Sequence, residues 1–321
     1  MVEKKIGTAV YRRDLSPVLA IFRLVPEAGD SFPDYKAGQY IALRRENCRL
    51  TKKVTRLDGQ IEFTPDLDEN GMPRRGPVTH SYSISSAPYE TREHGYLEFY
   101  VILQMYETGV PGRLTESLFQ LDPLEDNAIV YYSRIAGEFT LEKRAAGFRN
   151  VVMVGTGTGL APFASMIKQL HHEATSGKTD GVRYTLFTAN RGIPELGYHN
   201  ELLTVEREQR IDFVYVPSIS RPIAHESLQG HVGCGRANNM LRSVLDLPLK
   251  EEEDVQAAYG TAELLESVVQ PTLPTHVTKR QLRDRMNPAE TVILNCGNPD
   301  LMNDIKHVAS MVGIRCEQEE W

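Results

Sequence analysis

The spacing of apolar residues changes character once along the chain, close to residue 150. Before that point they come in short stretches with a period near two: Lys5–Arg12, Leu19–Val25, Gln39–Leu43, Ile61–Thr64, His80–Ser85, Tyr96–Leu103 and Ala128–Tyr132. Turn-forming residues such as Pro26 to Gly29 and Ala37-Gly38 separate them. Residues 66–79 are polar and rich in Gly and Pro and read as a loop, and one short helix is expected at Leu114–Gln120. Many short strands with a single helix predict an antiparallel barrel or sandwich.

Beyond residue 150 the apolar runs are continuous. Val151–Val154, Arg183–Phe187, Asp212–Val216 and Thr291–Asn295 read as buried strands, alternating with helical stretches such as Ala161 to Leu170. That βαβ order predicts a parallel sheet. The change at Phe148-Arg149-Asn150 predicts a first domain over 1–149 and a second over 150–321. Residues 233–288 carry three helix-like, charged pieces and look like a helical insertion.

Charge and composition narrow the classes. The net charge is −7 over 321 residues; residues 1–150 carry 20 basic and 21 acidic side chains, and residues 151–321 carry 16 and 22. Nothing here suits bulk nucleic-acid binding. No stretch approaches the roughly 18 apolar residues of a membrane span, and Met1-Val2-Glu3-Lys4-Lys5 is followed by no apolar run, so neither a membrane segment nor a signal peptide is expected. Cys48, Cys234, Cys296 and Cys316 form no C-x-x-C pair, so no metal is expected, and reduced thiols in the cytoplasm are.

The densest chemical signal is Val151-Val152-Met153-Val154-Gly155-Thr156-Gly157-Thr158-Gly159-Leu160-Ala161-Pro162. A buried strand, a Gly-rich turn and a helix start aim unpaired N–H groups at one point, which suits a phosphate. The spacing is G-x-G-x-G, neither the dinucleotide fingerprint G-x-G-x-x-G nor a P-loop. The next strand ends in Thr188-Ala189-Asn190-Arg191, without the acidic residue that would hold a free ribose hydroxyl. Two weaker signals lie upstream. His80-Ser81-Tyr82-Ser83-Ile84-Ser85-Ser86 puts Tyr82 on one strand face and Ser81 and Ser83 on the other. Gly112-Arg113-Leu114-Thr115-Glu116-Ser117-Leu118 opens a helix with a cation and a hydroxyl, a second place for an anion.

Taken in order, these elements resemble the ferredoxin–NADP reductase family. Its Arg-x-Tyr-Ser flavin motif looks like His80 to Ser83, its Gly-x-x-Ser/Thr-x-x-Leu motif matches Gly112 to Leu118, and a Gly-Gln-Tyr element matches Ala37-Gly38-Gln39-Tyr40. Its pyridine-nucleotide turn matches Gly155 to Pro162. A later run looks like Arg191, Glu195-Leu196-Gly197-Tyr198 and Glu201-Leu202, and its Cys-Gly-x-Pro signature is Cys296-Gly297-Asn298-Pro299. The resemblance spans the chain except residues 65–79 and most of 233–288.

The resemblance implies an FAD-binding antiparallel β-barrel followed by an α/β parallel-sheet domain that binds NADP. Tyr82 would lie against the flavin ring, Ser83 beside the flavin nitrogen that receives hydride, and Leu114 and Thr115 at the FAD pyrophosphate. Cys296 and Gly297 would flank the nicotinamide. Gly155, Thr156, Gly157, Thr158, Gly159 and Arg191 would line the nucleotide, and Ser220 and Arg221 would hold the 2′-phosphate of NADP, where the planar guanidinium can bond two oxygens. Glu319, or Glu320, would relay a proton toward Ser83, and the terminal Trp321 would stack on the flavin.

Two departures stand out: His80 replaces the family's Arg, leaving Arg113, Arg74 or Arg75 to supply the missing charge, and the segment between Val232 and Cys296 is extended. The basic run Arg44, Arg45, Arg49, Lys52, Lys53 and Arg56 is expected to dock an acidic ferredoxin or flavodoxin. The activity implied is electron transfer between NADPH and such a carrier. Two other readings stay open at this stage: an NAD(P)H reductase component of an oxygenase, and a silent flavin- or nucleotide-binding regulatory subunit.

Overall fold

The computed structural model describes residues 2–56, 59–122, 125–222, 230–257, 265–266 and 268–319. The chain divides into two compact units, Met1–Gly137 and Glu138–Trp321. Segment 138–149 belongs with the second unit because it packs there: the Phe139 ring lies 5.8 Å from that of Phe163, and Arg144 donates to Glu317 at 3.0 Å.

The first unit is built on an antiparallel sheet. Its strands are β1 (Lys4–Ser16), β2 (Leu19–Pro26), β3 (Tyr40–Arg49), β6 (Arg75–Ser83), β7 (Leu97–Ile102) and β8 (Ala128–Tyr132), in the order β6-β3-β8-β1-β2-β7. The period-two alternation puts Phe22, Leu24, Ile41, Leu43, Phe99, Val101, Ile129 and Tyr131 into one core. Each such side chain contributes about 1.5–3 kcal/mol on burial. The sheet curls as a half-barrel: Ser85, just past β6, donates to the Glu98 carbonyl of β7 at 2.8 Å. A separate hairpin, β4 (Thr51–Thr55) with β5 (Ile61–Pro65), stands outside this sheet. Helix α1 (Pro88–His94) precedes β7, and α2 (Arg113–Phe119) follows it and packs on β3.

Part of the predicted 66–79 loop is strand, since β6 begins at Arg75. Pro77 misleads there, because it removes a ladder donor; β6 is an edge of the sheet, where a missing N–H costs nothing.

The second unit carries the predicted parallel sheet. Strands β9 (Asn150–Thr156), β10 (Arg183–Asn190), β11 (Asp212–Ile219), β12 (Gly233–Cys234), β13 (Thr291–Cys296) and β14 (Arg315–Gln318) lie in the order β12-β11-β10-β9-β13-β14. Every pairing between them is parallel. All of β9 and β13 is buried, as their unbroken apolar runs require. Helix α3 (Leu141–Arg144) precedes β9, and the crossovers hold α4 (Leu160–Thr175), α5 (His199–Glu208), α6 (Ala237–Val244), α7 (Lys250–Gln256), α8 (Lys279–Arg283) and α9 (Pro299–Met311). Of the expected 233–288 insertion, residues 258–264 and 267 lie outside the described residues. What is described is tied into the core by Arg242, fully buried, which bonds Asp304 of α9, Glu253 of α7 and the Pro248 carbonyl. Among the described residues no helix is long and apolar enough to cross a membrane.

Candidate functional site

In the second unit the chain leaves β9 to build β10 and β11 on one side, then returns to lay β13 on the other. The carboxyl ends of β9 and β13 are therefore neighbours whose connections depart in opposite directions, the position where open parallel sheets bind ligands. The Gly-rich turn and the Cys296-Gly297 turn are the two that meet there, with Cys296 in register with Gly155.

The glycines of these turns do different things. A Cβ at Gly159 would overlap the Cys296 carbonyl, and one at Gly297 would overlap the Thr156 hydroxyl. That hydroxyl accepts the Asn298 amide at 2.8 Å. Gly159, Gly297 and Thr156 are thus occupied in locking one turn against the other. Gly157 is not: it sits at φ 56°, and a Cβ there would find only Asn190 Oδ1, 3.8 Å away. Gly157 and Thr158 are partly exposed while Thr156 and Gly159 are buried. They open onto the start of the 16-residue α4, whose first turn carries no acidic residue. A backbone surface with room above it, at a positive helix end, fits a dinucleotide phosphate.

Strands β10 and β11 end side by side. The Ser220 amide and hydroxyl both donate to the Asn190 carbonyl, at 2.8 and 3.2 Å, and the Arg221 amide donates to the Arg191 carbonyl at 2.9 Å. This brings Arg191 and Arg221 together at the same edge of the sheet as the Gly-rich turn. Both are exposed, and among the described residues neither guanidinium has an ion-pair partner.

Cys296 and Glu319 are also brought together. The Cys296 thiol donates to Glu319 Oε2 at 2.9 Å, and both residues are buried. Burial first, then the Glu319 charge and hydrogen bond, push the thiol well above its ordinary range. The Glu319 amide extends the β13–β14 ladder by donating to the Asn295 carbonyl at 3.1 Å. Sequence reasoning gave these two residues separate roles and missed the contact. The signal for it is β14, a polar edge strand whose pairing of Gln318 with Asn295 carries Glu319 past Cys296. Glu320 and Trp321 lie outside the described residues.

In the first unit the ladder between β3 and β6 pairs Tyr40 with Ser83, Ile41 with Tyr82 and Leu43 with His80. The Gly38-Gln39-Tyr40 and His80–Ser83 elements, far apart in sequence, are thereby side by side. Ser83 is buried, and Tyr82 is partly buried, edge-on to Phe99 with ring centroids 6.4 Å apart. Burial raises the Tyr82 hydroxyl's pKa. His80 is exposed by surface area yet held below its ordinary value, first by desolvation and then by the Arg113 charge, so the first turn of α2 stands near β6. Leu114 points into the core. The Thr115 hydroxyl donates to the Gly112 carbonyl at 3.1 Å and accepts the Gln104 amide at 3.2 Å. Arg113 is the member of that turn whose side chain remains for a ligand.

The basic run is not the open cationic face expected from its composition. Alternation and pairing break it up: Arg45 is buried and bonded to Ser117 and Asp126, Arg44 pairs with Glu46 at 2.7 Å, Arg49 pairs with Glu116, and Arg56 pairs with Glu62 at 2.6 Å. Lys52 and Lys53 are left, on β4. Among the described residues no group of three His, Cys, Asp or Glu side chains could hold a metal.

A family model described as the oxidoreductase NAD-binding domain matches residues 153–270, which contain the Gly-rich turn, Arg191 and Ser220-Arg221. No curated protein sequence matches the chain. Among solved structures, a ferredoxin NADP+ reductase from Neisseria gonorrhoeae with bound FAD and NADP is similar over 99% of this chain and 99% of its own, at 17% identity and a TM-score of 0.59. The fold is that of the ferredoxin–NADP reductases. The flavohem-like FAD/NAD-binding domain of nitric oxide dioxygenase from Vibrio cholerae O1 biovar El Tor shares it over 99% of this chain and 98% of its own, at 18% identity and a TM-score of 0.57. So does the ferredoxin reductase in carbazole 1,9a-dioxygenase, over 99% of this chain and 69% of its own, at 15% identity and a TM-score of 0.55. Of these neighbours, the Neisseria protein holds FAD and NADP and the Vibrio domain is described as binding FAD and NAD.

Proposed function

We propose that the chain is an FAD-dependent oxidoreductase that oxidises NADPH and passes electrons singly to a ferredoxin or flavodoxin. One observation carries this reading: the Gly155–Gly159 turn interlocks with Cys296-Gly297 where the sheet order reverses, leaving the Gly157-Thr158 backbone open. The nucleotide phosphates bind there. Arg191 and Arg221, exposed and without an ion-pair partner among the described residues, favour NADPH by meeting its additional phosphate, with Ser220 beside them. In the first unit Tyr82 would lie against a bound flavin ring, Ser83 would stand beside its hydride-accepting nitrogen, and Arg113, near His80, would meet the FAD pyrophosphate.

A bound flavin supplies the conversion between hydride and single electrons. The chain's own residues orient and protonate. Ser83 would donate a hydrogen bond to a bound flavin, and Cys296 would meet the nicotinamide as an uncharged thiol hydrogen-bonded to Glu319, while Trp321, expected to stack on the flavin, lies outside the described residues. The four free cysteines suit a cytoplasmic location. A second reading, the reductase component of an oxygenase, gains from the internal pairing of Arg44, Arg45, Arg49 and Arg56, which removes much of the charge that would attract an acidic carrier.

The test is anaerobic reduction. Purified protein reconstituted with FAD should be yellow and be bleached faster by NADPH than by NADH. Flavin that binds but never accepts hydride would end the enzymatic reading. A chain that takes up no flavin would end the flavin reading.

A further inference from the structure

Strand β3 contains a local contradiction. Ile41, Leu43 and Arg45 are buried at a spacing of two, so the arginine occupies a core position of the half-barrel. The ladder to β6 then shifts register between Arg45 and Cys48, a bulge that turns Cys48 inward and moves Arg49 to the side. A guanidinium at a core position persists only if its donors are met. Here they are met largely by one element and its neighbour: Arg45 Nε donates to the Ser117 hydroxyl of α2 at 3.1 Å, and its other nitrogens reach the Ala128 carbonyl and the Asp126 carboxylate. After the bulge, Arg49 grips the buried Glu116 of the same helix, with Nε 2.9 Å from Oε2 and a second bond from its terminal nitrogen. Two successive residues of α2, Glu116 and Ser117, are therefore held from below by two arginines flanking one bulge. The same strand is bonded by its ladder to β6, with Leu43 opposite His80 and Arg45 opposite Val78.

We propose that Arg45 and Arg49 are positioning residues for the flavin, holding α2 on β3 so that Arg113 and the Gly112 turn stand beside His80 to Ser83. The inference rests on the flavin reading given above. It reassigns the middle of the basic run from docking a partner to an internal clamp. The Arg45 bond tethers the centre of α2, and the bidentate Arg49–Glu116 pair fixes its rotation, since a fork-to-carboxylate contact has one good orientation. A slack helix would still pack through Leu114 and Leu118 and would lose only the alignment of its first turn.

The experiment compares wild type, Arg49→Gln, and the reversed pair Arg49→Glu with Glu116→Arg, all as the full chain. FAD affinity and the visible spectrum of the bound flavin are measured beside the melting of the flavin-free protein. Wild type should bind FAD. Arg49→Gln should bind it on the order of tenfold more weakly, with a shifted flavin spectrum, and the reversed pair should recover most of both. If Arg49→Gln binds FAD with wild-type affinity and spectrum, the positioning role is wrong while the flavin reading stands. If wild type itself takes up no FAD, the flavin reading falls first. Should Arg49→Gln not fold, the reversed pair decides alone: a folded reversed pair with weak flavin binding overturns the proposal, and one with near wild-type binding supports it.

Discussion

The Cys296 thiol and the Glu319 carboxylate share a 2.9 Å hydrogen bond in a space from which both are almost wholly excluded from water. Two adjacent buried anions are not affordable in a medium of low dielectric. Their proximity therefore keeps the sulfur protonated, and the thiol is the donor. A neutral, polarizable group results at the end of β13, in register with Gly155 of the Gly-rich turn.

The sign of its pH dependence follows. A thiol whose folded pKa lies above the ordinary 9.0 supports the native state fully below that value and loses the contribution as pH rises past it. Urea midpoints of wild type should therefore decline more steeply above about pH 9 than those of Cys296→Ala. Glu319→Gln removes the charge but leaves burial, so its decline should be smaller than that of wild type. Parallel declines in all three proteins would mean that the thiol and carboxylate do not interact.

The two glycine types predict opposite phenotypes. At Gly159 an added methyl meets backbone that cannot move aside, the Cys296 carbonyl. Gly159→Ala should cost about 1–3 kcal/mol or more of stability and disturb the whole crossing. At Gly157 the methyl meets open space, and only the left-handed φ of 56° opposes it. Gly157→Ala should fold with a loss of about 1–2 kcal/mol, yet bind the nucleotide poorly because the methyl occupies the surface a phosphate must approach. Thermal midpoints and nucleotide titrations of the two variants separate these effects. Equal nucleotide affinity in Gly157→Ala and wild type would move the binding surface elsewhere.

How much of this could be read from the sequence depends on what each residue is bonded to. The core strands were legible because burial on one face forces alternation and burial on both forces an unbroken apolar run, as in β3 and β9. Two edge elements were not: β14 is Arg-Cys-Glu-Gln and β4 is Thr-Lys-Lys-Val-Thr, and an edge needs little apolar surface. The Gly-rich turn was legible as a ligand surface, but which glycines face a ligand depends on a second turn 140 residues later, the one that places Asn298 against Thr156. Charge misled most. Arg44 to Arg56 reads as one cationic stripe in a linear sequence, while alternation, a bulge and partners such as Glu116 and Glu62 divide it in space.

A histidine cluster gives the second unit an acid limit. His199 opens α5, with its ring nitrogen 3.4 Å from the Tyr215 hydroxyl. Burial first, then His231 and His276, hold it below its ordinary 6.5. Glu206 offers partial relief through His276, 3.3 Å away. A helix start also opposes a cation. The folded chain thus binds fewer protons than the unfolded chain below about pH 6.5, so stability should fall as pH drops through that range. His199→Gln should flatten the fall, measured as urea midpoints at about pH 7.5 and pH 5. An unchanged slope would show that other groups set the acid limit.

The last prediction concerns nucleotide choice. Arg191 and Arg221 follow the ends of neighbouring strands and are joined through their backbones, and the proposed function assigns both guanidinium groups to one phosphate. A charge-assisted bond contributes about 1.5–3 kcal/mol, which corresponds to roughly tenfold or more in kcat/KM. Arg221→Ala and Arg191→Ala should each lower kcat/KM for NADPH by about that factor while leaving NADH nearly unchanged, because NADH offers no phosphate at that position. The double variant should show less than the product of the two losses if both arginines bind the same group. A product of independent losses would assign them to separate phosphates, and equal losses for NADH and NADPH would assign them to the pyrophosphate common to both.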